Sequence, residues 1–448
     1  MIDAIAGIPL FGGFLATLVS FVAALGIVVF VHEYGHYIVA RLCGIRSDVF
    51  SIGFGPVVWS RVDRQGTVWQ VAALPLGGYV KFRGDSDGAS RADPDALARM
   101  NRAERAESFH GASVGRRMLT VLAGPVFNFL LSIVLFAGLV LWQGVPTERA
   151  EIGEIETLPG LEQPLRTGDV LLAVDGVTVA GLQDLYRVAS EMPAPGPIRV
   201  RIDREGQPLE LTVPYPLPPK VQDVEPLSPA SKAGLRAGDV VQTADGTPLG
   251  SFGDLRRVVL ASGDRAIPIT VWRDGDILTL SIVPKERDIE DGAGGFERRV
   301  MIGVAGAPLY YPATETPGPL SALAMGAERT WMVITQSLNG IRGMLTGAIG
   351  AENLQGPLGI AQVAGGAAEQ GLDKFILIVA IVSTAIGLIN LFPIPILDGG
   401  HFMAFLVEAV RGRPPSQQVM QVAMSIGLGL ILLLMVFATY NDIIRMVS

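Results

Sequence analysis

The sequence predicts a polytopic α-helical membrane protein with four transmembrane helices, a membrane-associated β-hairpin region and two repeated α+β units. Three observations carry that expectation. Of 448 residues, 49% are hydrophobic and 17% charged, where a soluble domain carries roughly 25% charge; mean hydropathy is +0.42. The apolar residues gather in four long blocks rather than spreading along the chain. Between the second and third blocks, short motifs recur at one fixed offset.

The blocks cover residues 11–40, 118–142, 375–397 and 419–440, and the last three contain no Asp, Glu, Lys or Arg. Each is long enough for a spanning helix, which needs about 20 apolar residues. The first block lacks a basic leader and runs straight into His32, Glu33 and His36, so it reads as a permanent span rather than a cleaved signal. Cys43 is the only cysteine, which excludes an internal disulfide. The net charge of -8 argues against a nucleic-acid partner. Arg41, Arg46, Arg116 and Arg117 flank the link between the first two blocks, and Arg411 and Arg413 lie between the last two. Basic residues near span ends favour the cytoplasm. Both links therefore belong inside, and the termini and residues between the second and third spans outside.

Between the first two blocks the pattern turns strand-like. Residues 57–59 and 68–71 flank a turn at Asp63-Arg64-Gln65-Gly66, which reads as a hairpin. Residues 74–82 are apolar but broken by Pro75, Gly77 and Gly78. Residues 85–107 are polar and read as a cytoplasmic loop. Further on, Gly168-Asp169-Val170 recurs as Gly238-Asp239-Val240, Val174-Asp175-Gly176 as Ala244-Asp245-Gly246, and Asp184-Leu185 as Asp254-Leu255, each pair 70 positions apart. One register shared by three matches indicates duplication. Residues 288–295 read as an acidic, Gly-rich linker. Residues 321–347 carry apolar side chains at helical spacing; this helix either lies along the membrane surface or packs on the protein's own helices.

The chemistry concentrates in His32-Glu33-Tyr34-Gly35-His36. Residues four apart share a helix face, so both histidines can reach one metal ion, with Glu33 beside it as a general base. Ionisable residues inside a span are costly and rarely persist without a function. Zinc needs a further protein ligand and an open position. Asp398 is the best distant candidate, with His401 its rival; capping the following helix is the ordinary reading of Asp398. Pro393 and Pro395 break the third block, and broken backbone at membrane depth must be buried or line a wet cavity. Gly77, Gly78 and Tyr79 lie in a segment whose edge could add an extended peptide as a further strand.

With these residues in view, the chain resembles the site-2 protease family of intramembrane zinc metalloproteases, in its bacterial form. The pieces that carry the resemblance are His32 to His36, Leu76-Gly77-Gly78-Tyr79-Val80-Lys81, Ala123-Gly124-Pro125-Val126-Phe127-Asn128, Gly356-Pro357-Leu358-Gly359-Ile360, and residues 390–400. They follow in order along nearly the whole chain. The resemblance implies Zn2+ held by His32, His36 and Asp398, Glu33 as catalytic base, and Asn390 holding the substrate backbone. It implies that the repeats are tandem PDZ domains, the second matching better at residues 228–239 and the first departing at residues 158–167. It also implies single-pass membrane protein substrates, such as a pre-trimmed anti-sigma factor, with signal-peptide remnants as further substrates. The location implied is a bacterial inner membrane, with periplasmic PDZ-like domains and the histidine motif near the cytoplasmic side.

The expected division is 1–44, first span with the motif; 45–117, hairpin region and loop; 118–144, second span; 145–216 and 217–287, the two PDZ-like domains; 288–370, linker and amphipathic region; 371–408, third span with the third ligand; and 409–448, fourth span. Two other functions fit the same features: a membrane zincin for quality control of unfolded membrane proteins, and a non-catalytic PDZ scaffold.

Overall fold

The computed structural model describes residues 12–88, 93–192, 195–290 and 295–447. They form two compact units. One contains the described residues up to Leu139, then Pro319–Arg342, then those from Ala351 onward; the other contains Val140–Gly318 and Gly343–Gly350.

Among the described residues, four helices are long and apolar enough to cross a membrane: Phe14–Leu42, Val114–Gln143, Leu372–Asn390 and Gln418–Met446; all lie in the first unit except the last turn of the second helix. This is a membrane protein with β regions. The third apolar block is not one continuous helix. Its helix stops at Asn390, residues 391–397 form turns, and a new helix, Asp398–Arg411, follows. Pro393 and Pro395 lack the N–H groups that a continuing helix would need.

Strands Ser47–Val62 and Val68–Phe82 form a long hairpin that folds over on itself. Val49, Phe50, Ser51 and Ile52 each have two partners, one among residues 68–71 and one among residues 78–81. Residues 78–82 therefore sit at an edge, paired on one side only among the described residues. Asp63 fixes the hairpin tip. It accepts the amides of Gln65 (2.8 Å) and Thr67 (3.0 Å), the Tyr37 hydroxyl (3.0 Å) and the Trp69 indole (3.3 Å). Partial burial works against its charge, but these four donors outweigh it and hold the carboxyl below its ordinary range.

The helix Pro319–Thr346 packs against the second span. Gly326 meets the Ile133 carbonyl so closely that a Cβ there would overlap it, and Val333 joins a core of Phe136, Leu139 and Ala380. Of the two placements open in the sequence, packing on the protein's own helices is the one observed. The helix Pro357–Gln370 begins on the fourth span, where buried Asp442 accepts the amides of Gly356 (3.0 Å) and Gly359 (2.8 Å). Arg117 makes a two-pronged ion pair with Glu408 (3.0 and 2.7 Å) and lies over Phe405. This ties the start of the second span to the helix that carries Asp398.

The second unit contains the duplicated α+β modules. In the first, strand order is Val177–Thr178, Val170–Val174, Ile198–Arg204, Gln207–Val213, with helix Leu182–Glu191; in the second it is Thr247–Pro248, Val240–Ala244, Ile267–Arg273, Asp276–Ile282, with helix Phe252–Ser262. Each helix buries one stripe, Leu182, Leu185 and Ala189 in the first and Leu255 and Val259 in the second, as the 3.6-residue period requires. Each module also buries an Asp gripped by an Arg fork, Asp169 by Arg204 (2.8 and 2.7 Å) and Asp239 by Arg273 (2.6 and 2.7 Å).

Three expected boundaries need correction. The first module does not close within residues 145–216, because its strand Ile152–Ile155 pairs with Tyr310–Pro312 from beyond the second module. The second module's Val221–Val224 pairs with Val304–Gly306. Residues 288–290 are not linker: they end the strand Lys285–Glu290, which pairs with Phe296–Met301, and Arg298 lies against Asp288 (3.3 Å). Of the rest of the expected linker, residues 291–294 lie outside the described residues. Residues 158–167, where the first repeat departs from the second, hold no helix or strand, whereas the second module has a short helix, Pro229–Lys232, in the matching stretch.

Candidate active site

The site forms where the first span, the second span and the Asp398 helix meet. His32 and His36 lie one turn apart on the first span. Their Nε2 atoms are 3.2 Å apart, and Asp398 Oδ2 lies 3.1 Å from the first and 3.4 Å from the second. These three are the group of potential metal ligands found among the described residues. Asp398 is the first residue of its helix and its side chain does not cap it; the carboxylate turns to the histidines instead. His401 lies one turn further on and is not in the group. His110 pairs with Asp85 (2.9 Å).

The donor triangle fits a tetrahedral ion. With ligand bonds of about 2.0–2.1 Å, the edge between two ligand atoms is roughly 3.3–3.4 Å, close to the three observed separations. Buried Asp398 Oδ2 accepts no hydrogen bond among the described residues, a state costly without a cation. Gly124 on the second span keeps the space open, since a Cβ there would overlap His36 Nε2 and lie 2.8 Å from His32 Cε1.

Both histidines are held from behind by the second span. His36 Nδ1 donates to the Thr120 carbonyl (2.8 Å), which leaves Nε2 free as a ligand atom. His32 Nδ1 faces the amide of Asn128 (3.2 Å), a fully buried residue. Neither Gly124 nor Asn128 received a role from the sequence. An amide in an otherwise uncharged span was the available signal.

Glu33 is half-buried beside His32, and its Cγ faces Gly78 on the edge segment. A Cβ on Gly78 would lie 2.9 Å from Glu33 Cγ and 2.8 Å from the Ser51 carbonyl. Only a glycine lets this strand run so close to the first span. Gly77 has φ +153, with the Phe54 ring where a side chain would go. Tyr79 stacks on Phe54 (6.0 Å between centroids) and its hydroxyl accepts from Gln70 (3.1 Å). Asn390 is the half-buried last residue of the third span, and Pro393 (exposed) and Pro395 (half-buried) lie in the turns between it and Asp398.

Comparison with known proteins agrees with this geometry. The profile of peptidase family M50 matches residues 20–434. The chain belongs to peptidase family M50. A protein of Agrobacterium fabrum bearing a zinc metalloprotease name is 36% identical over 439 residues, covering 96% of each chain. The regulator of sigma-E protease RseP of Escherichia coli is 34% identical over 459 residues, covering 97% of this chain and 99% of that one. The regulator of sigma E protease of Salmonella typhi is 34% identical over 456 residues, covering 96% and 98%. This M50 peptidase is therefore an intramembrane zinc metalloprotease.

Proposed function

We propose that His32, His36 and Asp398 hold the zinc and that Glu33 is the general base for cleaving transmembrane segments of single-pass membrane proteins. The observation that carries this reading is the donor triangle, with edges of 3.1, 3.2 and 3.4 Å. Zinc in that place supplies Lewis acidity, lowering the pKa of water and polarising a scissile carbonyl. Glu33 takes the proton from the attacking water and returns it to the leaving amine.

A substrate helix must unwind before its backbone can react, and its freed backbone groups need new partners at once. The edge at Gly77, Gly78 and Tyr79 would receive the unwound segment as an added strand, while Asn390 would bond the same backbone from the other side. Pro393 and Pro395 keep the chain between Asn390 and Asp398 out of a helix and so line the cleft.

The duplicated modules are PDZ-like domains that lie outside the cytoplasm, and the chain sits in a bacterial inner membrane. Two relatives named regulators of sigma E support a role in regulated proteolysis; the substrate class that goes with this reading is a pre-trimmed, anti-sigma-like protein, with signal-peptide remnants as a second class. The test is paired substitution in purified full-length protein. Glu33→Gln is expected to lower cleavage by about 10²-fold or more and keep its zinc, whereas Asp398→Asn loses both. Cleavage by Glu33→Gln at near wild-type rate would end this assignment.

A further inference from the structure

We propose that Asn128 is a positioning residue for the zinc site, fixing the ring of His32 through its Nδ1. The inference rests on His32 being a ligand through Nε2. A neutral imidazole that ligates through Nε2 carries its proton on Nδ1, and that N–H needs an acceptor. His36 meets this need with the Thr120 carbonyl. At His32 Nδ1 the group in place is the Asn128 amide, at 3.2 Å.

The surroundings suit that task. Asn128 is fully buried, and its Oδ1 has no hydrogen-bond partner among the described residues. A half-turn of the amide group exchanges oxygen and nitrogen, so the orphaned acceptor can receive the His32 Nδ1–H. The residue is also locked in position. Its backbone carbonyl accepts the hydroxyls of Ser132 (3.0 Å) and Ser383 (2.9 Å), the latter from the third span. Gly387 lies close against its Cβ, where a further methyl would sit at 3.1 Å. An amide buried at such cost, aimed at a ligand's outer nitrogen and held in place by the third span, is built to orient that ligand.

The test uses purified full-length protein and two readouts other than activity. These are zinc affinity by chelator competition and the visible absorption of the cobalt-substituted site. Asn128→Leu and Asn128→Ala remove the acceptor and are expected to weaken zinc binding about 10- to 100-fold and alter the cobalt bands. Asn128→Asp keeps an acceptor and is expected to bind zinc within about threefold of wild type on the same principle. Wild-type affinity in a folded Asn128→Leu or Asn128→Ala protein overturns the proposal. So does an Asn128→Asp protein as weak as the apolar variants, and that arm decides alone if neither apolar variant folds. His36→Ala and Asp398→Ala are measured alongside. If they keep wild-type zinc affinity, the ligand assignment falls and this inference with it; if they lose zinc while the Asn128 variants do not, only the role of Asn128 falls.

Discussion

Replacing Gly78 with alanine tests whether the edge segment and Glu33, the proposed general base, share one tightly set geometry. The added Cβ would sit 2.8 Å from the Ser51 carbonyl, 2.9 Å from Glu33 Cγ and 3.0 Å from Val29 Cγ1. Ordinary contact begins near 3.4 Å, so each neighbour must give by about half an ångström. On one side is backbone of the paired strand and on the other the first span, so the two are forced apart with Glu33 between them. A misplacement of 1 Å costs about 10²-fold in rate, so half of that costs about tenfold, or roughly 1.4 kcal/mol. The assay is cleavage of a single-pass substrate in reconstituted bilayers, with kcat, KM and zinc content measured together. The expected result is kcat reduced about 10- to 100-fold with zinc retained. Gly26→Ala, with nothing within 4 Å of its Cβ on the same helix, is the neutral comparison. A Gly78→Ala enzyme whose kcat stays within about twofold of wild type would refute the argument.

Two further predictions concern the duplicated modules. Burial opposes charge on Asp169, but the Arg204 fork outweighs it and holds the carboxyl below its usual range; the pair's stabilisation is therefore complete above about pH 4 and lost as pH falls through the depressed native value. Urea unfolding of a fragment spanning residues 140–318 is expected to show Asp169→Asn clearly less stable at pH 7, with the gap narrowing by pH 2; an unchanged gap would disprove the linkage. The proposed outside location of the modules predicts that Arg199→Cys, at a side chain 85% exposed, in a Cys43→Ser background reacts with an impermeant maleimide on spheroplasts before lysis. Reaction only after lysis would reverse the topology.

How much the sequence could tell depends on whether partners are local. His32 and His36 come together by helical spacing alone. Asp398 could be nominated because it is a lone carboxylate closing an uncharged block beside two prolines, but nothing in its own spacing distinguished it from His401. The four apolar spans were legible from length, and the duplicated modules from their shared 70-residue register. The closing strand Tyr310–Pro312 was not legible. Three residues are too few for a period of two to register, and its partners at residues 152–155 lie far back in the chain, beyond the whole second module. The folding-over of the hairpin was hidden for a related reason, since alternation shows that a strand exists but not that Phe50 pairs with both Val80 and Trp69. Asn128 was visible as a polar residue in an apolar span, but its partner His32 is 96 positions away.

The bundle that holds the site is assembled by the contacts that orient it. Lipid chains are as apolar as leucine, so spans associate by close packing and by hydrogen bonds between helices. Here Gly35 lets the first span close on Ala123 and Phe127, Gly124 lies against His36 and His32, and Gly387 brings the third span onto Pro125 and Asn128. The polar links fall on the same faces: Ser132 donates to the Ala380 carbonyl (2.9 Å), Ser383 to the Asn128 carbonyl (2.9 Å), and His36 to the Thr120 carbonyl (2.8 Å). Bonds of this kind are worth about 0.6 kcal/mol each on average, too little for any one of them to hold the bundle together. Thr120, Gly124 and Asn128 on the second span, by contrast, touch both proposed histidine ligands, so a shift of that span moves the surroundings of both. The residues of the second span that pack against the first and third spans are thus the same ones that contact the proposed ligands His32 and His36.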